Sequence, residues 1–165
     1  MTIRHATIDD IPIMSRVMAR SWRAAFPGQL PQDFLDTLQD NYFEPRFHER
    51  RTECRYLIAE ENGDAIGVLA HNKAYADDSA DGEIWLCYVI PEYWSQGIGH
   101  QLLSAAKNNL RNMGYTRAYL YVLDTNERAR RAYIRAGFVR CPENAVKHHD
   151  FHGAKLTDER FVVTL

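Results

Sequence analysis

The sequence predicts an α/β fold in one domain spanning residues 1–165, with a mixed sheet flanked by helices. Two observations carry that expectation. Short apolar runs bounded by turn residues, such as 56–59, 83–90 and 118–123, have the length and β-branched or aromatic content of strands. Ile98, Leu102, Ala106 and Leu110 recur every four residues, the spacing that lines one face of a helix. In chain order, three to four antiparallel strands come first and a β-α-β-α-β run follows.

Residues 2–5 read as a first strand, and Thr7, Asp9 and Asp10 offer a capped helix start before Ile11, Met14, Val17, Met18 and Trp22. Pro27, Gly28 and Pro31 break that helix, and Phe34, Leu35 and Leu38 mark a second amphipathic piece. From Phe47 to Arg55 the charge density predicts a solvated helix or turn. Asn62-Gly63 is a hairpin turn between strands at 56–59 and about 65–72. The run from Glu83 to Ile90 is the clearest strand. A glycine-containing turn and a helix ending at Gly114 come next. A strand at 118–123, a helix at 126–136 closed by Gly137, and strands at 138–140 and 161–163 complete the chain. The segment holding His148, His149 and His152 reads as a polar loop between the last two strands.

With 165 residues, 45% of them hydrophobic and 25% charged, the chain is long enough for one sizeable core and lies outside the disordered regime. A net charge of -2 supplies no basic excess to meet nucleic-acid or membrane phosphates, so neither partner is expected. Three cysteines, Cys54, Cys87 and Cys141, cannot all pair within the chain. With no signal-like start and no apolar run of about 20 residues, they read as free thiols of a cytoplasmic protein. His-His-x-x-His lacks an acidic or Cys partner at ligand spacing, and no metal is expected.

The turn Trp94-Ser95-Gln96-Gly97-Ile98-Gly99 lies between a strand and a helix. Such a junction exposes unpaired backbone N–H groups and the positive end of the helix dipole, a place for a pyrophosphate. In isolation a short Gly-x-Gly is more often only a turn. A dinucleotide-binding motif would need a third glycine where this chain has Leu102.

The wider pattern is more specific. Val89-x-Pro91-Glu92-Tyr93-Trp94-Ser95-Gln96-Gly97-Ile98-Gly99 with Leu102-Leu103 resembles the cofactor-binding motif of the GNAT N-acetyltransferase superfamily. The pattern Asn126-x-x-Ala129-x-x-x-Tyr133-x-x-x-Gly137-Phe138 resembles its second signature, and Ile3-Arg4-x-Ala6-x-x-x-Asp9 extends the likeness to the N-terminus. The resemblance implies a central sheet of about six to seven strands, splayed between its two central parallel strands. It also implies acetyl-CoA as cosubstrate and an amine acceptor. Trp94 departs from the Arg or Gln usual at its position, and Ser95 stands where glycine is common.

The resemblance implies roles residue by residue. Backbone amides of Gln96, Gly97, Ile98, Gly99 and His100 would hold the pyrophosphate. The strand edge at Cys87 and Val89 would pair with the pantetheine arm, Asn126 would hydrogen-bond that arm, and Ala129 would leave it room. Asn126 also reads as a helix N-cap, and the two uses are compatible. Arg128, Arg130 and Arg131 read as phosphate contacts or as solvated surface.

Acetyl transfer to an amine requires a neutral nucleophile, stabilisation of the carbonyl oxygen and a proton for the departing thiolate. The resemblance assigns that proton to Tyr133 and oxygen stabilisation to the Val89 N–H. Glu83 is a general-base candidate or a solvated strand-start carboxylate. Cys87 lacks activating partners and reads as a small core residue. Asp77, Asp78, Asp81 and Glu83, with Glu159, read as an acidic rim that favours a small cationic amine, or as a solvated turn. Trp22, Phe26 and Tyr42 read as an aromatic wall or as core. A protein or peptide amine as acceptor, a non-catalytic acyl-CoA sensor and a homodimer remain alternatives.

Overall fold

A computed structural model describes residues 1–74, 81–141 and 146–165. Its framework is one sheet of eight strands. β1 (Thr2–His5), β2 (Arg55–Glu61), β3 (Asp64–Lys73) and β4 (Gly82–Val89) form an antiparallel half. β5 (Arg117–Leu123) runs parallel to β4, and β8 (Ala154–Thr164) lies antiparallel beside β5. The far edge of β8 is shared by β6 (Val139–Arg140) and β7 (Val146–Phe151). The α-helices among the described residues are α1 (Ile11–Ala25), α2 (Gln32–Thr37), α3 (Glu44–Arg50), α4 (Ile98–Asn112) and α5 (Glu127–Arg135).

The α1 stripe of Ile11, Met14, Val17 and Met18 is buried, and so is the α4 stripe of Ile98, Leu102, Ala106 and Leu110. The two helices pack against β3 and β4, and Gly67 brings β3 and α4 together. A Cβ on Gly67 would meet Leu102 Cδ1 at 3.0 Å, so a side chain there would force Leu102 to give way. Ser15 ties α1 to the segment after α2. Its hydroxyl donates to the Asp40 carbonyl at 2.6 Å and accepts from the Phe43 N–H at 3.0 Å.

Two sequence expectations change. His148 and His149 lie in strand β7 and His152 in the turn of its hairpin with β8, and β7 raises the strand count to eight. Residues 47–55 are not simply solvated, because α3 begins at Glu44 and buries Phe47 at 2% exposure. Of the residues read as an acidic rim, Asp81 and Glu159 are neutralised by arginines. Asp81 is buried and accepts two bonds from Arg117 at 2.9 and 2.8 Å, while buried Glu159 pairs with Arg130 and Arg140. Carboxylates neutralised in this way project little field to solvent. Asp77 and Asp78 lie outside the described residues.

Candidate active site

The site begins where the sheet comes apart. β4 and β5 are paired only at Gly82↔Ala118, Glu83↔Tyr119 and Ile84↔Leu120, although β4 runs on to Val89 and β5 to Leu123. The gap between the unpaired ends opens into a cavity of about 750 Å³. Register decides what faces it. The Ile90 N–H bonds the Ile66 carbonyl at 3.0 Å, so Tyr88 and Val68 are the next hydrogen-bonded pair toward the start of β4. Val89 and Cys87 therefore turn their N–H and C=O groups away from β3, into the gap.

A bulge sets the side chains. Ala70 lies opposite Leu86 and His71 opposite Ile84, which leaves Trp85 as an extra residue in β4. Without it, Glu83 would alternate onto the face of Cys87. With it, Glu83 shares a face with Leu86 and Tyr88, toward α1.

At one end of the cavity, Ser95 and Gly97 adopt positive φ of 62° and 84°, the left-handed region. That conformation explains why glycine suits position 95, where this chain carries serine. Gly97 caps α4 without a side-chain bond, so the first N–H groups of the helix stay open. A Cβ on Gly99 would meet only Val89 Cγ2, at 4.0 Å, so this space is free for a ligand. Gly97, Ile98, Gly99 and His100 line the cavity. Gln96 does not, and its amide turns back to donate to the Glu92 carbonyl at 2.9 Å.

Trp94 has found another use. Its indole N–H donates to the Val89 carbonyl at 2.6 Å, which the Ser21 hydroxyl also reaches at 3.1 Å. The Arg128 guanidinium stacks 3.2 Å from the centre of the Trp94 ring, at the cavity wall. Arg128 is thus held at the site, whereas Arg130 and Arg131 are engaged by Glu159 and Glu127.

Asn126 caps α5 by accepting the Ala129 N–H at 3.2 Å, and both residues line the cavity. Tyr133 follows on the same helix and is 9% exposed. Burial, reinforced by nearby Cys87 and Tyr88, raises its hydroxyl well above the ordinary value, so the phenol keeps its proton. Burial pushes the Cys87 thiol up to about 12, where it is a poor nucleophile.

On the α1 side the cavity is walled by Trp22, Phe26, Leu30, Tyr88 and Phe151. Trp22 meets Phe26 edge-on at 5.2 Å and Phe151 at 5.6 Å. Tyr42 is exposed and packs on Phe34 and Phe43, outside this wall. Glu83 accepts from the Tyr119 hydroxyl at 3.2 Å. Asp158 lies 3.7 Å from His149, and burial raises its pKa. Arg46 and Arg50 of α3 place guanidiniums 4.6 and 4.4 Å from the Trp85 ring centre.

The remaining histidines have separate partners. His148 contacts the Thr157 hydroxyl at 3.0 Å, and His152 stacks on Phe34 at 4.4 Å. Among the described residues no three His, Cys, Asp or Glu side chains are grouped to hold a metal ion. No described helix is long and apolar enough to cross a membrane.

An open strand edge, free helix amides and left-handed turn residues at one cavity form a cradle suited to a pantetheine arm and a pyrophosphate. The family model described as Acetyltransferase (GNAT) family matches residues 16–138. The chain belongs to this family. It is an acyl-CoA-dependent N-acetyltransferase, and acetyl-CoA is its cosubstrate. Relatives include the uncharacterized N-acetyltransferase YuaI of Bacillus subtilis (strain 168), 26% identical over 127 residues, covering 76% of this chain and 73% of that one. The aminoalkylphosphonate N-acetyltransferase of Salmonella typhimurium is 29% identical over 141 residues, covering 82% and 83%. The fold is shared with the PaiA N-acetyltransferase of Thermoplasma acidophilum in complex with coenzyme A. That likeness has a TM-score of 0.70 at 19% identity, with both chains fully covered.

Proposed function

We propose that the protein acetylates a primary amine of a small molecule by direct attack in a ternary complex. The observation that carries this reading is the continuity of the cavity. The open edge of β4 and the amides of α4 border the same space as Glu83 and the aromatic wall of α1. The enclosing side chains of Trp22, Phe26, Leu30 and Phe151 suit a small acceptor, as does the likeness to an aminoalkylphosphonate N-acetyltransferase. The free thiols are consistent with a reducing, cytoplasmic setting.

Acetyl-CoA supplies the acetyl thioester. In this reading the open N–H groups of residues 97–100 bind its phosphates, assisted by Arg128 on Trp94. The edge at Cys87 pairs with its amide arm, beside Asn126. With its carbonyl already accepting from Trp94 and Ser21, Val89 offers its N–H to the acyl carbonyl oxygen. Glu83, carried to the acceptor face by the Trp85 bulge, takes the amine proton, directly or through water. Tyr133 keeps its own proton near Cys87 and delivers it to the departing sulfur.

The test is release of free coenzyme A with a panel of primary amines, together with Tyr133→Phe. The variant should bind acetyl-CoA as the parent does and lose kcat by ~10²-fold or more. An unchanged kcat would return Tyr133 to a packing role. Acetyl-CoA binding with no thiol release for any amine would overturn the small-molecule reading.

A further inference from the structure

Among the described residues, the charges on the acceptor side of the cavity differ in their partners. Asp158 is flanked by His149 at 3.7 Å and by Lys147, its cross-strand partner, which itself lies over Tyr121 at 3.8 Å. Glu83 is engaged by Tyr119. Arg46 is different. Its guanidinium lines the cavity against the Trp85 ring, and no carboxylate among the described residues pairs with it. Arg50, over the same ring, adds a like charge and is ion-paired with Glu53 at 3.9 Å.

Stacking uses only the flat face of a guanidinium. Its five N–H donors lie in the plane and remain available in a fork that matches a carboxylate or phosphonate. The ring also fixes that fork, so little side-chain freedom is lost when an anion arrives. Trp85 is the bulged residue beside Glu83, so the platform for the cation and the carboxylate that meets the amine belong to one stretch of β4.

We propose that the acceptor is a compact amine that also carries an anionic group, a carboxylate or phosphonate, which Arg46 holds. This rests on the small-molecule reading above and replaces the cationic acceptor expected from the acidic segment. The amine faces Glu83, the anion meets the fork of Arg46, and an apolar body packs on Trp22 and Phe151.

The experiment compares matched amines with and without the anion: L-phenylalanine against 2-phenylethylamine, and 2-aminoethylphosphonate against ethylamine. Coenzyme A release is followed for the parent, Arg46→Gln and Arg46→Lys, each checked for folding and acetyl-CoA binding. The parent should favour the anionic member of at least one pair in kcat/KM. Arg46→Gln should reduce that preference by about tenfold or more through KM, with partial retention in Arg46→Lys, which keeps the charge but loses the fork. A parent that prefers the neutral members, or an unchanged preference in Arg46→Gln, overturns the proposal and leaves small-amine acetylation standing. No release with any of the four amines, while other amines of the panel are acetylated, overturns the proposal alone, and no release across the whole panel overturns both.

Discussion

His71 sits in the core, fully buried under α4, with Nε2 at 3.2 Å from the Asn109 side-chain amide. With that amide donating, Nε2 accepts and Nδ1 carries the proton, buried without a partner. Burial, then the charges of His5 and Arg55, lowers its pKa from 6.5 to about 4. The unfolded chain therefore binds more protons than the folded one between these values, and stability must fall as pH drops through that window. The expected loss between about pH 7 and pH 5 is about 2 kcal/mol. Urea unfolding at the two pH values checks this. His71→Leu should reduce the difference by roughly that amount, and an equal pH dependence in the variant would remove His71 as its source. At this scale the sequence was readable where a residue's need is local. Asn126 at a helix start and Gly97 at a turn are examples. Arg128 and Trp94 were singled out separately, but their stacking joins residues far apart in the chain, which no spacing reports.

Among the elements, α4 and its preceding turn were the most legible, because a four-residue apolar stripe and a glycine turn are both local signals. β7 was not. Its residues Val146 to Asp150 are exposed, so there is no apolar alternation to read, and pairing with β8 alone makes it a strand. The Trp85 bulge was equally hidden, since a bulge is a mismatch of register between two strands and belongs to neither sequence. Yet it determines which face Glu83 occupies. Gly99 gives the clearest test at this scale. It lies inside α4 at ordinary helical φ, so Gly99→Val needs no left-handed backbone, and its side chain enters open space beside Val89. Unfolding free energy should stay within about 1 kcal/mol of the parent, since Val is no worse than Gly in a helix. Acetyl-CoA affinity by calorimetry should fall tenfold or more, ~1.4 kcal/mol, because the added methyls stand where backbone amides must be approached. Unchanged affinity would move the phosphate site away from this turn.

At the level of the whole molecule, the two halves of the sheet meet through only three residue pairs of parallel register, at the closed end of the gap. Everything beyond that point is an edge, with the Val89 carbonyl satisfied by Trp94 and Ser21 while the N–H groups of Cys87 and Val89 face the cavity. A cosubstrate arm laid along this edge would act as the missing strand and join α4, β4 and α5. Binding should therefore stabilise the fold by mass action, by about 2.7 kcal/mol when ligand is a hundredfold above Kd. The gain should also be local. In hydrogen exchange, added protection should concentrate on the amides of Cys87, Val89 and residues 97–100. The amides of Ile58 and Val68 lie in fully paired strands away from the gap and should change only with global stability. Gly99→Val at the same acetyl-CoA concentration should show a correspondingly smaller thermal shift and lose the protection at Cys87 and Val89 together with that at the turn. Protection spread evenly over all strands, or confined to the turn with Cys87 and Val89 unchanged, would show that the open edge of β4 does not pair with the cosubstrate.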